Sequence, residues 1–498
     1  MRLLPLGLAL LAGASAEALD LPVDWLELEG SLEGRYVQRV HSSSPRENPQ
    51  ATLRLRPAAD VTSWLRLKSA FTATAGGAPR DPDGPGVFNW DDTLQDVSPS
   101  LEVEESALEL LFDTLDVRLG IQKFAWGKLD GIQPNDVVNP ESFGDPILED
   151  ENDRKIGVPA LSATAYLPSP PGPRFENLQL TGVWLPIVTA FRFADDDERW
   201  YPPIARVPPQ STVDGFTVRN EARVRNGDVP SRPSPWSDLR NGGGAGRFAG
   251  FLGGADFGFY LYDGYDTQPA LDADARGFVR FDPTRPGCVP LEPECFDVRS
   301  EVDVVPVFQR VTLVGGDLAY GVLGATLRAE GAFVKNRLYP RAIRDIVETQ
   351  EIGTINQALL LTGQEQEVEI RLSPVNVRRD GIEWGFGGDY LWNDTFLLLQ
   401  LNQTIVLDND VDLLISDTET RIAMTVRRSF FAERLEAELI GFYGMQGVYG
   451  VAHPRITYDL TDEVDVRVGY VLIEGHENSI IGQYKENDQG YVRLRLSF

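Results

Sequence analysis

From Tyr491 to the end of the chain, polar and apolar positions alternate without a break. Val492, Leu494, Leu496 and Phe498 fall on one face of an extended strand, and Tyr491, Arg493, Arg495 and Ser497 on the other. Two arginines on one face suit a strand with lipid outside and water inside better than a soluble sandwich. The same two-residue period recurs over 25–40, 49–57, 61–73, 101–112, 114–125, 158–168, 175–188, 245–253 and 255–264. It continues over 307–319, 322–336, 380–392, 395–407, 418–429, 434–445, 449–460, 463–474 and 488–498. The pattern predicts eighteen strands, with sixteen to twenty open because 214–226 and 367–378 also alternate.

The gaps between these runs are of two kinds. Tight turns are predicted at Pro57–Asp60, Asp113-Thr114, Gly253-Gly254, Asn393-Asp394 and Leu460–Glu463, and long connections at 74–100, 126–157, 189–244, 265–306 and 337–379. Short and long gaps on opposite ends, with both termini on the tight-turn end, define an all-β, transmembrane antiparallel β-barrel with short periplasmic turns and long extracellular loops. Met445–Val448 is a short gap on the long-loop end, and 168–174 a proline-rich turn on the short end. An even strand number lets the first and last strands pair, so no edge stays exposed.

Face assignment follows from what lipid tolerates. Leu53, Leu55, Leu65, Leu67, Ile382, Trp384, Phe386, Leu397, Leu399, Leu401, Ile422, Met424, Val426, Val464, Val466, Val468, Leu494 and Leu496 are read as outward. Their alternates, Arg54, Arg56, Arg66, Lys68, Arg118, Arg328, Arg421, Arg427, Arg467, Arg493 and Arg495 with Glu436 and Glu438, then line a wet lumen. An outward Arg or Lys near the midplane would cost roughly 2–4 kcal/mol. Trp184, Trp384, Trp392, Tyr390, Tyr443, Tyr458 and Tyr470 are candidates for the interfacial girdles.

Composition narrows the chemistry. The 498 residues carry a formal net charge of −29, which argues against nucleic acid and anionic lipid as partners. The start reads as a cleavable signal peptide over 1–16, with Arg2, an apolar stretch from Leu3 to Leu11 and Ala14-Ser15-Ala16, followed by one barrel domain over 17–498. Cys288 and Cys295 are the only cysteines, and in an exported chain their proximity predicts a local disulfide. His41, His453 and His476 are scattered and read as surface residues, and no serine, histidine and acid stand in the order of a hydrolase, so no enzyme activity is expected. No cofactor or metal motif is found; Asp408, Asp410 and Asp412 have a spacing usable by Ca²⁺ but read as a solvated loop.

The terminal strand resembles that of Gram-negative outer-membrane proteins, whose last residue is typically Phe, as at Phe498, and whose assembly machinery reads that strand. Gly120, Gln122, Trp126, Gly127, Asp130, Pro134, Asp136, Val137, Asn139 and Pro140 form a run similar to the signature of a largely uncharacterised group of proteobacterial outer-membrane barrels. Segments 246–265 and 308–333 resemble that group too. Some members accompany envelope exporters of hydrophobic compounds. The resemblance implies an integral outer-membrane location with lipid and lipopolysaccharide as surroundings; homo-oligomers are a habit of porins in general.

An aqueous channel follows from so many strands unless something fills it. The turn-rich loop 126–157, carrying Trp126, Asp130, Pro134, Asp136, Asn139 and Pro140, is the candidate constriction. The arginine ladder on the first three and last five strands would form one basic wall opposite an acidic loop region. The reading is a porin-like channel for passive diffusion of small hydrophilic solutes, anionic ones among them. The alternative is a non-conducting barrel acting as an export partner for hydrophobic compounds or as a surface structural protein.

Overall fold

The computed structural model describes residues 25–41, 49–76, 100–170, 174–189, 191–192, 199–200, 210–213, 216–224, 242–268, 270–282, 284, 295–342, 351–352, 365–371, 374–414, 416–476, 479 and 481–498. The chain opens with β1 (Leu26–Arg39), β2 (Gln50–Thr62), β3 (Leu65–Gly76), β4 (Ser100–Phe112), β5 (Leu115–Gln122), β6 (Val158–Tyr166) and β7 (Phe175–Leu185). Next come β8 (Gln210–Val213), β9 (Phe216–Val224), β10 (Gly243–Leu252), β11 (Ala255–Tyr265), β12 (Ala270–Phe281) and β13 (Phe296–Val307). They are followed by β14 (Arg310–Val322), β15 (Ala325–Pro340), β16 (Glu351–Ile352), β17 (Gln366–Arg371), β18 (Asn376–Trp392) and β19 (Thr395–Val406). The last five are β20 (Thr418–Phe430), β21 (Leu435–Gly444), β22 (Tyr449–Asp459), β23 (Val464–Gly475) and β24 (Gln489–Ser497).

Eighteen of these strands form one antiparallel sheet, and β1 pairs with β24 from Ser31 opposite Ser497 to Arg39 opposite Gln489. The sheet therefore closes into a barrel, and closure satisfies both would-be edges. Main-chain hydrogen bonds Gly30 N–H to Phe498 O (2.8 Å) and Phe498 N–H to Gly30 O (3.0 Å) finish the seam. All eighteen alternating runs fall on the barrel strands. The two extra runs add no barrel strand: 216–224 is β9, and 367–378 is divided between β17 of a second sheet and the start of the barrel strand β18.

The six remaining strands form a second sheet in the order β16-β17-β12-β13-β9-β8, with β13 and β9 parallel. It is assembled from three long connections on one end of the barrel, those after β7, β11 and β15. Alternation marks a half-buried strand without saying which sheet it joins, which is why these runs look like barrel strands in sequence. Val218, Val279 and Val298 are fully buried on one face. The other face carries Arg219 paired with Asp297 (2.7 Å) and Arg299 stacked 4.4 Å over the Phe278 ring. Cys295, just before β13, is disulfide-bonded; Cys288 lies outside the described residues.

Tight turns close the opposite end. Asn393-Asp394, Gly253-Gly254 and Leu323-Gly324 all have positive φ at both residues, the primed geometry that matches strand twist. One turn departs from expectation. β2 runs through Pro57–Asp60 to Thr62 and turns at Ser63-Trp64. Arg56 and Ala58 still pair with Glu29 and Glu27 of β1, whereas no β3 partner stands opposite Pro57, which has no N–H to donate.

The outer wall is apolar: Leu53, Leu67, Leu399, Met424, Val468 and Val492 are exposed along it. Trp184, Trp392, Tyr390, Tyr443, Tyr458 and Tyr470 are exposed as well, while Trp384 is half-covered and donates its ring N–H to Gln403 Oε1 (3.2 Å). No helix among the described residues is long and apolar enough to cross a membrane.

Candidate functional site

The connection between β5 and β6, residues 123–157, turns into the barrel. A hydrogen-bonded clasp sets its direction. Asn139 accepts the Phe124 N–H at 2.7 Å and donates to the carbonyls of Gln122 (3.0 Å) and Ile156 (2.8 Å), drawing the two stems together. Gln122, fully buried at the end of β5, bonds Ala160 O and Ser162 Oγ. Ile156 N–H closes on Pro140 O at 2.8 Å. Inside the loop, Lys155 pairs with Asp136 and lies 3.7 Å from Glu151 on the short helix α1 (Glu151–Arg154). Burial pushes the Asp136 carboxyl up to about 6, against the pull of the Lys155 ammonium.

The loop tip crosses to the facing wall. Trp126 is buried against Phe124 and Tyr260, with ring centroids 6.0 and 5.6 Å away. The Glu330 carboxylate on β15 accepts three loop N–H groups, from Lys128 (3.0 Å), Leu129 (3.3 Å) and Asn135 (2.7 Å). On β19, Gln400 accepts the Asp130 N–H at 2.9 Å, and Gln400 and Asn402 both donate to Ile132 O at 3.2 Å. Asn135 donates to Gly316 O (3.1 Å); a Cβ on the neighbouring Gly315 would lie 1.8 Å from Asn135 Oδ1, so only glycine admits the loop there. Lys128 pairs with Asp256 (2.9 Å), and Arg328 reaches both Asp389 and Asp130. Pro134, in the turn beside Asn135, helps give the tip its bend.

The other arm of the loop is held to the first strands by charge. Asp145 pairs with Arg35 (3.3 Å), Asp153 with Arg54 (3.2 Å) and Lys123 with Glu104 (3.2 Å). A second segment lies on the first: Ser142 bridges Arg192, and the Phe143 and Phe191 rings are 4.8 Å apart. Trp200 then reaches β23, packing on Val471 and Ile473 with Ile147, Leu148, Ile481 and Tyr484 around it.

Every predicted lumen residue shares the inner face with these anchors, because directly opposed residues of antiparallel strands point the same way. Arg66 pairs with Asp60 (2.6 Å), Arg118 with Glu109 (2.8 Å) and Lys68 with Glu105 (3.6 Å). Arg427 lies 3.8 Å from Glu436 and stacks over Phe396, and Glu438 holds Arg455. Arg493 pairs with Asp465 (2.8 Å), whereas Arg56, Arg421, Arg467 and Arg495 form no ion pair among the described residues. Arg421 and Arg467 instead donate to Thr404 and Thr457. His453 is buried on this wall, 2.9 Å from the Tyr491 hydroxyl, where the sequence reading placed it on the surface.

Glu330, Gln400 and Asn402, which seat the loop, were not singled out by the sequence. Their signal is faint but present: Gln400 and Asn402, with Thr404, are the inward polar positions of the otherwise leucine-rich β19, and Glu330 shares the inward face of β15 with Arg328. No three-residue metal cluster exists among the described residues, and Asp410 is engaged by Arg379.

No family model matches this chain, and no curated protein does. Among solved structures it is similar to Pseudomonas aeruginosa OccK8 (OprE), at 8% identity and TM-score 0.47 over 95% of this chain and 97% of that one. Acinetobacter baumannii OccAB2 gives 10% identity and 0.44 over 96% and 98%, and Salmonella typhi OmpF, in complex with daunomycin, 9% and 0.38 over 95% and 97%. The barrel assignment rests on the strand pairing itself.

Proposed function

We propose that this chain is an integral outer-membrane, porin-like channel through which small hydrophilic solutes, anions foremost, diffuse passively. The observation that carries the reading is the seating of loop 123–157 inside the lumen. Glu330, Gln400 and Asn402 hold its tip, while Asp145, Glu149, Asp150 and Asp153 form an acidic edge along its other arm. Along that edge Arg35 and Arg54 pair with Asp145 and Asp153, and Arg467, beside Arg455 and Arg493 on the same wall, lies in the field of Asp150 without an ion pair; fixed charges of both signs along the lumen orient dipoles and steer ions. Charged groups on the inner face also disfavour passage of hydrophobic compounds, the alternative role. In this reading the tight-turn end faces the periplasm, the acidic loops meet lipopolysaccharide, and the Phe498 strand is the one read during assembly.

The test is single-channel conductance of the refolded chain in a planar bilayer, with the reversal potential taken under a salt gradient. Stable open steps with anion preference are expected, and removal of residues 128–154 should enlarge them. Silence from a folded, heat-modifiable barrel would sink the reading.

A further inference from the structure

The row of residues opposite one another on β22, β23, β24 and β1 runs Thr457, Arg467, Arg493 and Arg35. Like charges directly opposed in a sheet repel, so each arginine in such a row needs an anion. Arg35 has Asp145, and Arg493 has Asp465, with Glu33 4.0 Å away. Arg467, between the threonine and Arg493, pairs with no carboxylate among the described residues; its Nε donates to Thr457 Oγ1 at 3.0 Å. The nearby Arg455 is already held by Glu438. The Arg493 Nε is itself buried with no acceptor.

The next row supplies neutral donors. Gly469 lies opposite Tyr491, and the Tyr491 ring and hydroxyl fill the space where a Cβ would be, 2.5 Å from that position. This brings the hydroxyl, shared with His453 Nε2, into the field of Arg455, Arg467 and Arg493. The facing carboxylate is Asp150 on the loop, exposed and close enough to interact with Arg467 and His453 without forming an ion pair.

We propose that Arg467, Arg493 and Tyr491 form a binding site for the oxyanion group of a small solute, a carboxylate or phosphate, on the lumen wall opposite Asp150. Guanidinium groups offer the planar donor forks such anions accept, and an arginine with no ion pair among the described residues supplies one half of such a pair. The site would select among solutes that the channel reading already admits, and it rests on that reading. Arg495, also without an ion pair among the described residues, lies two residues further towards the tight-turn end and would receive the anion next.

Two measurements on the same refolded chain test this: calorimetric titration with inorganic phosphate in detergent, and phosphate added to a potassium chloride bath in planar bilayers. Saturable binding and saturable reduction of the chloride current are expected, and Arg467→Gln should weaken both about tenfold or more. Arg467→Lys, which keeps charge but loses the fork, should fall between. R467Q removes a like-charge contact, so it should stay heat-modifiable. Equal phosphate affinity in the parent and R467Q, or none in either, overturns the site while open steps preserve the channel. Binding that R467Q abolishes in a chain that never conducts supports the site and overturns the channel.

Discussion

Glu330 shows how much one inner-wall carboxylate can decide. It accepts three N–H groups from a loop that begins some two hundred positions earlier in the chain, and it is buried beneath that loop. Removing it leaves those donors without their acceptor, at about 1–3 kcal/mol each. Glu330→Ala is therefore expected to unseat the tip and raise single-channel conductance, with the barrel still heat-modifiable. Unchanged current steps would show that the tip is held without it. Asp136 gives the pH dependence. Its carboxyl is raised by burial to about 6, so the folded loop holds a proton more tightly than the unfolded chain. Its contribution to stability is thus fullest below the ordinary value near 3.8 and is lost as pH rises through 6. The unfolding temperature of the parent, relative to Asp136→Asn, should rise as pH falls from 7 to 5; a constant difference would contradict this.

At the scale of elements, the barrel and the second sheet differ in how they are tied in. Barrel strands each have two neighbours, whereas among the described residues β17 pairs with β12 and the two-residue β16, and β16 with β17 alone. Deleting residues 343–373 should therefore leave a heat-modifiable barrel with unchanged conductance, measured by gel shift and in bilayers. Loss of folding would mean that the sheet supports the rim. The loop over 123–157 behaves oppositely. It bonds β15 and β19 at its tip and pairs with β1 and β2 along its other arm, so it braces walls that the sheet alone leaves apart.

Over the whole molecule, charge is sorted by place. The chain carries a net −29, yet the inner faces of β22, β23 and β24 are rich in arginine and the outer wall is apolar. Fields across water are screened over about 10 Å at 0.1 M salt and about 3 Å at 1 M. The anion preference read from reversal potentials should therefore shrink between those two conditions, and a preference independent of salt would point to size sieving instead.

Strand number, strand faces and the two kinds of connection were legible in the sequence because they follow from a period of two, which any short window reveals. Lys68, Arg118 and Glu436 could be placed on the inner face from their immediate neighbours alone. Three things were decided only by the tertiary structure. The alternation of β9 and β17 went to a second sheet, because pairing partners lie far along the chain. The loop folded inward through Glu330, Gln400 and Asn402, contacts between distant segments that no local pattern encodes. Which arginines found a carboxylate, as Arg493 did and Arg467 did not, depends on register across the barrel, where one shared row sets several strands' charges side by side.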